Sequence, residues 1–67
     1  MKVRNPFTGE LAEVYKYKLR YRDGREQTLY GFLYFKKFIK VTYAMNIITV
    51  DCVIDDYLEA IYLGKSI

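Results

Sequence analysis

The chain has 67 residues, of which 52% are hydrophobic and 18% aromatic, and it carries a formal net charge of +3. This length allows one domain, residues 1–67, and the apolar content argues against intrinsic disorder. Because His is absent and Cys52 is the single cysteine, the sequence excludes an intrachain disulfide, a zinc site of standard ligands and a Ser-His-Asp or Cys-His nucleophile, so we expect no enzyme, no cofactor and no metal site.

The N-terminal segment predicts a short edge strand, MKVR, followed by a turn. Asn5-Pro6 favours turn initiation, and Gly9 closes the loop. No apolar run follows the charged start, as a signal peptide would require, and none in the chain approaches the ~18 residues of a membrane span. We therefore expect a cytoplasmic protein that does not cross a membrane.

Residues 11–22 alternate between apolar and basic side chains, which is the two-residue period of a β-strand. One face carries Leu11, Tyr15, Tyr17, Leu19 and Tyr21, and the other carries Lys16, Lys18, Arg20 and Arg22. The pattern predicts one long strand with an apolar face and a basic face.

Asp23-Gly24 then predicts a β-hairpin. A two-residue loop would pair Tyr21 with Glu26 and would mix polar and apolar residues on both faces. A three-residue loop, with Gly24 as a left-handed bulge, pairs Tyr21 with Arg25 and segregates the faces better, so we predict this register. The apolar face then gains Leu29, Gly31, Leu33 and Phe35.

The same register places an aromatic row beside the basic face of the first strand. The row is Tyr30, Phe32 and Tyr34, and it follows Glu26 and Thr28 along the second strand. Phe32 between two tyrosines would form an apolar patch if it were exposed. We expect a helix, another subunit or a ligand to cover it.

Residues 36–45 fit either a strand or a helix. The density of β-branched residues and the lack of an N-cap favour the strand. Residues 46–54 are richer still in β-branched residues and predict a further strand, in which Cys52 is a small core residue.

Residues 55–65 predict a C-terminal helix. Asp55 or Asp56 caps its N-terminus, Glu59 is the capping-box partner, and Gly64 ends it. Its apolar side consists of Tyr57, Leu58, Ile61 and Tyr62. The predicted fold is therefore α+β: a curled antiparallel sheet of about four to five short strands, built on the central hairpin, with this helix packed on one face.

The charges are unevenly distributed along the chain. Residues 1–40 hold ten bases and four acids, whereas residues 41–67 hold one base and four acids. This asymmetry fits a polyanion site on the basic part. It fits equally well an attraction between the two parts, within a subunit or across a dimer.

The strongest candidate site combines the hairpin bases with the aromatic row, and a weaker lysine cluster follows it. Nucleic acids require cations at their phosphates and flat π faces on which bases stack. Alternate side chains of a strand lie about 7 Å apart, which is close to nucleotide spacing. The candidate nucleic-acid-binding residues are Lys16, Lys18, Arg20, Arg22, Arg25, Tyr30, Phe32, Tyr34, Lys36, Lys37 and Lys40.

We therefore expect a small non-enzymatic protein that binds DNA or RNA. The alternative is a protein-interaction module, such as a dimeric adaptor or an inhibitor of a larger enzyme, that uses the same aromatic face. A structural subunit whose aromatic row is buried in a homo-oligomer is a third interpretation. The number of aromatic residues on both sheet faces also predicts self-association, as a dimer.

Overall fold

The fold is all-β. The computed structural model describes residues 1–65, and within that range it contains seven strands and no helix. No membrane-spanning helix is therefore found in this part of the chain. The strands are β1 (Lys2–Arg4), β2 (Leu11–Glu13), β3 (Tyr15–Arg20), β4 (Glu26–Tyr34), β5 (Lys37–Ala44), β6 (Ile47–Ile54) and β7 (Glu59–Lys65).

The strands form two antiparallel sheets. A two-stranded sheet pairs β1 with β2, and a five-stranded sheet has the order β6-β5-β4-β3-β7. The predicted strand over residues 11–22 is divided at Val14, whose N–H donates to the Met1 carbonyl at 2.9 Å. This break lets β2 turn away from the large sheet and pair with β1. The edge strand at MKVR and the turn after Asn5 are confirmed, since the Asn5 side chain accepts hydrogen bonds from the Phe7 and Thr8 amides.

The predicted register of the central hairpin is confirmed. Arg20 lies opposite Glu26, and the Tyr21 amide donates to the Arg25 carbonyl at 2.9 Å. Gly24 has a φ of +91°, the left-handed conformation that the three-residue loop requires. The face of the sheet that bears Val14, Lys16 and Lys18 is called the even face below, and the opposite one the odd face.

A small core lies on each face of the sheet. On the even face, the β1–β2 hairpin packs over Phe32, because β1 contacts β6 and β2 contacts β4. On the odd face, the core is covered by residues 55–58, which run between the two edge strands β6 and β7. The even-face core is Val3, Val14, Phe32, Ile39 and Val41, and the odd-face core is Leu19, Leu29 and Phe38.

The prediction of a C-terminal helix, and with it the α+β class, is wrong. Residues 59–65 form β7, which pairs with β3 so that Ala60 lies opposite Leu19 and Tyr62 opposite Tyr17. The Leu58 amide also donates to the Arg20 carbonyl at 2.8 Å. Without β7, β3 would expose a row of unpaired backbone groups at the edge of the sheet, and the ladder with β7 satisfies them.

The strand predictions for residues 36–45 and 46–54 are confirmed by β5 and β6. The prediction that Cys52 is a core residue is wrong, because its side chain is exposed. Cys52 lies on the edge strand β6 opposite Lys40, whose ammonium group is 3.3 Å from Asp51. Cys52 therefore lies beside polar groups at the margin of the sheet.

Gly31 lies where β4 closely approaches β5. A Cβ atom at this position would overlap the Ile39 carbonyl oxygen and lie 2.9 Å from Cζ of Phe38. Only glycine fits there, so Gly31 allows the backbone of β5 to lie close to β4 at this point.

Candidate interaction surface

The predicted hairpin site is assembled in part on the even face. Lys16 lies opposite Tyr30, Lys18 opposite Thr28, and Arg20 opposite Glu26. These three bases therefore share one surface with Tyr30, as the period of the strand predicts.

Ion pairs neutralise most of the positive charge on this surface. The Arg20 guanidinium lies 3.3 Å from one carboxylate oxygen of Glu26 and 2.7 Å from one of Glu59. Lys18 lies 3.9 Å from Glu26. Three bases thus face two acids, so the surface offers a phosphate much less net charge than the sequence pattern indicates.

The two arginines of the hairpin turn are also paired. Arg22 lies 3.4 Å from Asp56, and Arg25 lies 2.6 Å from Asp23 and 5.1 Å from the centre of the Tyr21 ring. Backbone and side-chain hydrogen bonds from Arg25 lower the pKa of Asp23. These contacts hold the guanidinium groups at the turn itself, outside the row of bases on the even face.

The charge asymmetry of the sequence is expressed as attraction within the subunit. Bases of the first forty residues pair with acids of the last part of the chain in three places: Arg20–Glu59, Arg22–Asp56 and Lys40–Asp51. These three acids are therefore separated, each facing its own base. The capping roles predicted for Asp56 and Glu59 disappear with the helix.

Of the predicted aromatic row, only Tyr30 offers its ring to the even face. Tyr30 is 44% exposed, whereas Phe32 is 5% exposed and belongs to the core. Tyr34 is half-buried and stacks on Phe7, with ring centres 5.5 Å apart and planes 8° from parallel. Phe32 is covered, but by the β1–β2 hairpin rather than by the helix, subunit or ligand that the sequence led us to expect. Burial removes Phe32 from any surface on which a base could stack.

The bases without an ion pair among residues 1–65 include Lys16, Lys36 and Lys37. Lys16 stands alone beside Tyr30, while Lys36 lies in the β4–β5 turn next to Phe35 and Lys37 begins β5. Lys40, the third member of the predicted lysine cluster, points away to Asp51. The predicted site residues therefore divide into separate small groups rather than one continuous basic surface.

A groove on the odd face lies near these groups. It encloses about 460 Å³ between the crossing segment 55–58 and the end of β4. Its apolar lining comes from Leu33, Phe35, Tyr57, Leu58 and Ala60, and its charged rim from Arg22, Lys36, Asp55 and Glu59.

This odd-face groove was not predicted from the sequence. Leu33 and Phe35 are assigned to the odd face by the hairpin register, but a helix was predicted where the crossing segment and β7 lie. The crossing segment covers only part of it. Leu33 remains 40% exposed, Leu58 59% and Phe35 85%. The sequence did carry a signal for the groove: the odd face has more apolar side chains than the rest of the chain could cover.

Phe35 occupies an unusual backbone position at the margin of the groove. It is the first of two residues that join Tyr34 to its partner Lys37, and its φ is +56°. The second residue, Lys36, has a negative φ, so the signs match a type II′ turn, whose first position favours glycine. A bulky side chain there is a conformational outlier.

A tyrosine cluster elsewhere on the odd face consists of Tyr15, Tyr17 and Tyr62. The Tyr62 ring is 5.4 Å from the Tyr15 ring and 5.7 Å from the Tyr17 ring. Burial raises the pKa of Tyr17, and the neighbouring Tyr15, Tyr62 and Tyr57 raise it further. Burial also raises the pKa of Tyr57. The Tyr17 and Tyr57 hydroxyls are therefore held protonated near neutral pH, and the contacts between the rings provide packing.

Comparison of the chain with protein-family models, with curated proteins and with solved structures found no match.

Proposed function

We propose that this chain is a non-enzymatic protein-interaction module that acts as a homodimer, with the odd-face groove as its interface. The observation that carries this proposal is the exposed apolar lining of the groove, above all Leu33, Phe35 and Leu58. Contiguous exposed apolar surface on a small protein marks a binding site, because leaving it in water is unfavourable.

The size of the molecule supports an interface of ordinary dimensions. A standard interface buries roughly 800 Å² on each partner, which is about a sixth of the 4730 Å² surface of this chain. The groove and the neighbouring β4–β5 turn would form the centre of such an interface.

The charges around the groove support a second copy of the chain as the partner. The rim carries both signs, with Lys36 on one side and Asp55 on the other, and neither has an ion pair within the described residues. In a two-fold symmetric dimer, Lys36 of each copy would meet Asp55 of the other copy, so the same contact would form twice. A partner of a single charge sign would be repelled by part of this rim.

The test is the mass in solution across a wide range of protein concentration. Sedimentation equilibrium is expected to give twice the 8.0 kDa monomer mass at high micromolar concentration. The dimer should persist at high salt, because burial of apolar groups is screened far less than ion pairing. A mass of 8.0 kDa at millimolar concentration would contradict the proposal.

Nucleic-acid binding is the second candidate, and the unpaired Lys16 beside half-exposed Tyr30 favours it. If this surface binds DNA or RNA, Lys16→Glu with Lys18→Glu should weaken binding without unfolding the domain. Each lost phosphate contact should reduce the slope of log affinity against log salt by about 0.9 for duplex DNA or about 0.7 for single strands. Lys2→Glu, on the exposed side of β1, is the matched control. An absence of binding by the unaltered protein at low salt would eliminate this candidate.

A further inference from the structure

We infer that Phe35 is the anchor of the interface: the strained β4–β5 turn holds its ring outward so that it inserts into the groove of a second copy of the chain. This inference rests on the proposed homodimer and adds the residue that drives it. It also gives a reason for the presence of a phenylalanine at a position that favours glycine.

The backbone at Phe35 is less favourable than the fold requires. A left-handed φ of +56° is rarely adopted by a residue with a bulky side chain, and glycine would occupy the same turn without strain. Strain of this kind concentrates at binding sites, where the side chain compensates for it through contacts with a partner. Phe35 receives little such compensation inside the monomer, since 85% of it is exposed and its one ring contact among residues 1–65 is with Tyr34.

The ring is nevertheless held in one direction. It packs edge-on against Tyr34, with ring centres 4.6 Å apart and an interplanar angle of 71°. Tyr34 is itself fixed by its stack on Phe7. An exposed aromatic side chain supported from below loses little conformational freedom on binding, which is the property of an anchor residue.

The second copy provides a complementary receptor. Phe35 projects at the margin of its own groove, and the lining of the partner's groove presents Leu33 and Leu58 as apolar contacts. When the Phe35 ring enters, Lys36 follows it to the rim, where Asp55 of the other copy carries the opposite charge. Two-fold symmetry repeats this contact, so both rings are buried in the same event.

The first experiment replaces Phe35 by glycine and measures the dimer dissociation constant by sedimentation equilibrium. We expect Phe35→Gly to weaken the dimer on the order of thirtyfold or more, as loss of an aromatic anchor does. Its melting temperature, measured at a concentration where both proteins are monomeric, should be unchanged or higher, because glycine relieves the strained φ. Phe35→Asn is the second variant, because Asn also tolerates this conformation.

Met45→Gly is the matched control. Met45 has a φ of +52° in the β5–β6 turn and is 91% exposed, so the change removes a similar strain and a similar exposed apolar side chain. The β5–β6 turn does not line the groove. The dissociation constant of the Met45→Gly dimer should stay within about threefold of the unaltered value. Equal weakening by both changes would mean unspecific association through exposed apolar groups, and would overturn the inference.

The second experiment tests whether the occupant is another copy in this orientation. Lys36→Glu and Asp55→Lys each place like charges opposite one another in their own homodimers and should weaken them. Mixing the two variants should restore association, because each copy then meets an opposite charge at both rims. No recovery on mixing would overturn the symmetric arrangement.

The outcomes separate the inference from the proposed function. A dimer whose dissociation constant is unchanged by Phe35→Gly and by Phe35→Asn would refute the anchor role and leave the homodimer intact. An unaltered protein that remains monomeric at millimolar concentration would refute both.

Discussion

Gly31→Ala tests the close approach of β4 and β5. The added Cβ would overlap the carbonyl oxygen of Ile39 and lie 3.0 Å from its carbonyl carbon and 2.9 Å from Cζ of Phe38. The Phe38 ring is fully buried and the Ile39 backbone belongs to the β4–β5 ladder, so neither can move without disrupting a core. Overpacking typically costs about 1–3 kcal/mol, and a clash with backbone lies at or beyond the upper end of that range.

That cost is comparable to the whole stability of a domain of this size. A chain shorter than about 70 residues usually derives no more than ~3–5 kcal/mol from its core. We therefore expect Gly31→Ala to be largely unfolded at 25 °C. Gly24→Ala is the control, because nothing lies within 4 Å of its added Cβ and only the φ of +91° opposes it. That substitution should cost about 1 kcal/mol.

Urea denaturation followed by far-ultraviolet circular dichroism distinguishes the two variants. With a denaturant slope of about 1 kcal/mol per molar, Gly24→Ala should move the midpoint down by about 1 M, while Gly31→Ala should lack a folded baseline. All samples are compared at one low protein concentration, because dimerisation adds stability. A midpoint for Gly31→Ala equal to or above that of Gly24→Ala would refute the packing argument.

Three further predictions concern the core, the tyrosine cluster and the ion pairs. Phe32→Ala should cost about 3–5 kcal/mol, measured by the same denaturation, because it empties a buried site; a variant of unchanged stability would place Phe32 outside the core. Folding raises the pKa of Tyr17, so its contribution to stability is complete below pH 10 and is lost as the pH rises through the pKa of the folded state. Tyr17→Phe should reduce this loss of stability at alkaline pH, and an identical pH profile of stability would contradict the prediction. Arg20→Met should cost less than about 1 kcal/mol of stability although Arg20 makes two ion pairs, because the side chains of Arg20, Glu26 and Glu59 are about half exposed. The cost should shrink in 1 M salt, and a loss of stability that salt does not change would contradict an origin in ion pairing.

The hairpin could be predicted from the sequence because local chemistry decides it. The alternation of residues 15–20, the turn at Asp23-Gly24 and the pairing of Arg20 with Glu26 all depend on residues close in the chain. The strands β5 and β6 could also be predicted locally, because β-branched residues are frequent there. A wrong register of the hairpin would have mixed polar and apolar residues on both faces.

The C-terminal strand could not be predicted from its own residues. Tyr57, Leu58, Ile61 and Tyr62 have helical spacing, yet Ala60 and Tyr62 also alternate as a strand does. Residues 59–65 form a strand because β3, some forty residues earlier, has an open edge that pairs with β7. A distant partner overrode local propensity, as is usual for strands.

Only part of the candidate site could be predicted, because several of its contacts also depend on strands that are distant in the sequence. The shared face of Lys16, Lys18 and Arg20 follows from strand geometry alone. The neutralising contacts of Arg20 with Glu59 and of Arg22 with Asp56 depend on where the last strand lies. Because the helix was predicted there instead, the groove between the crossing segment and β4 was also missed.

The pairing of β3 with β7 has a consequence for the order of folding. Arg20 meets Glu26 across six residues of chain and meets Glu59 across 39. Closing the longer loop costs about 1.7 kcal/mol more in chain entropy than closing the hairpin, from the logarithmic dependence on loop length. The β3–β4 hairpin can therefore form early, and β7 joins an existing template. Changes in β7 should then accelerate unfolding more than they slow folding, whereas changes in the hairpin should do the reverse. The strand that completes the sheet is thus also the one whose contacts govern how long the folded state survives.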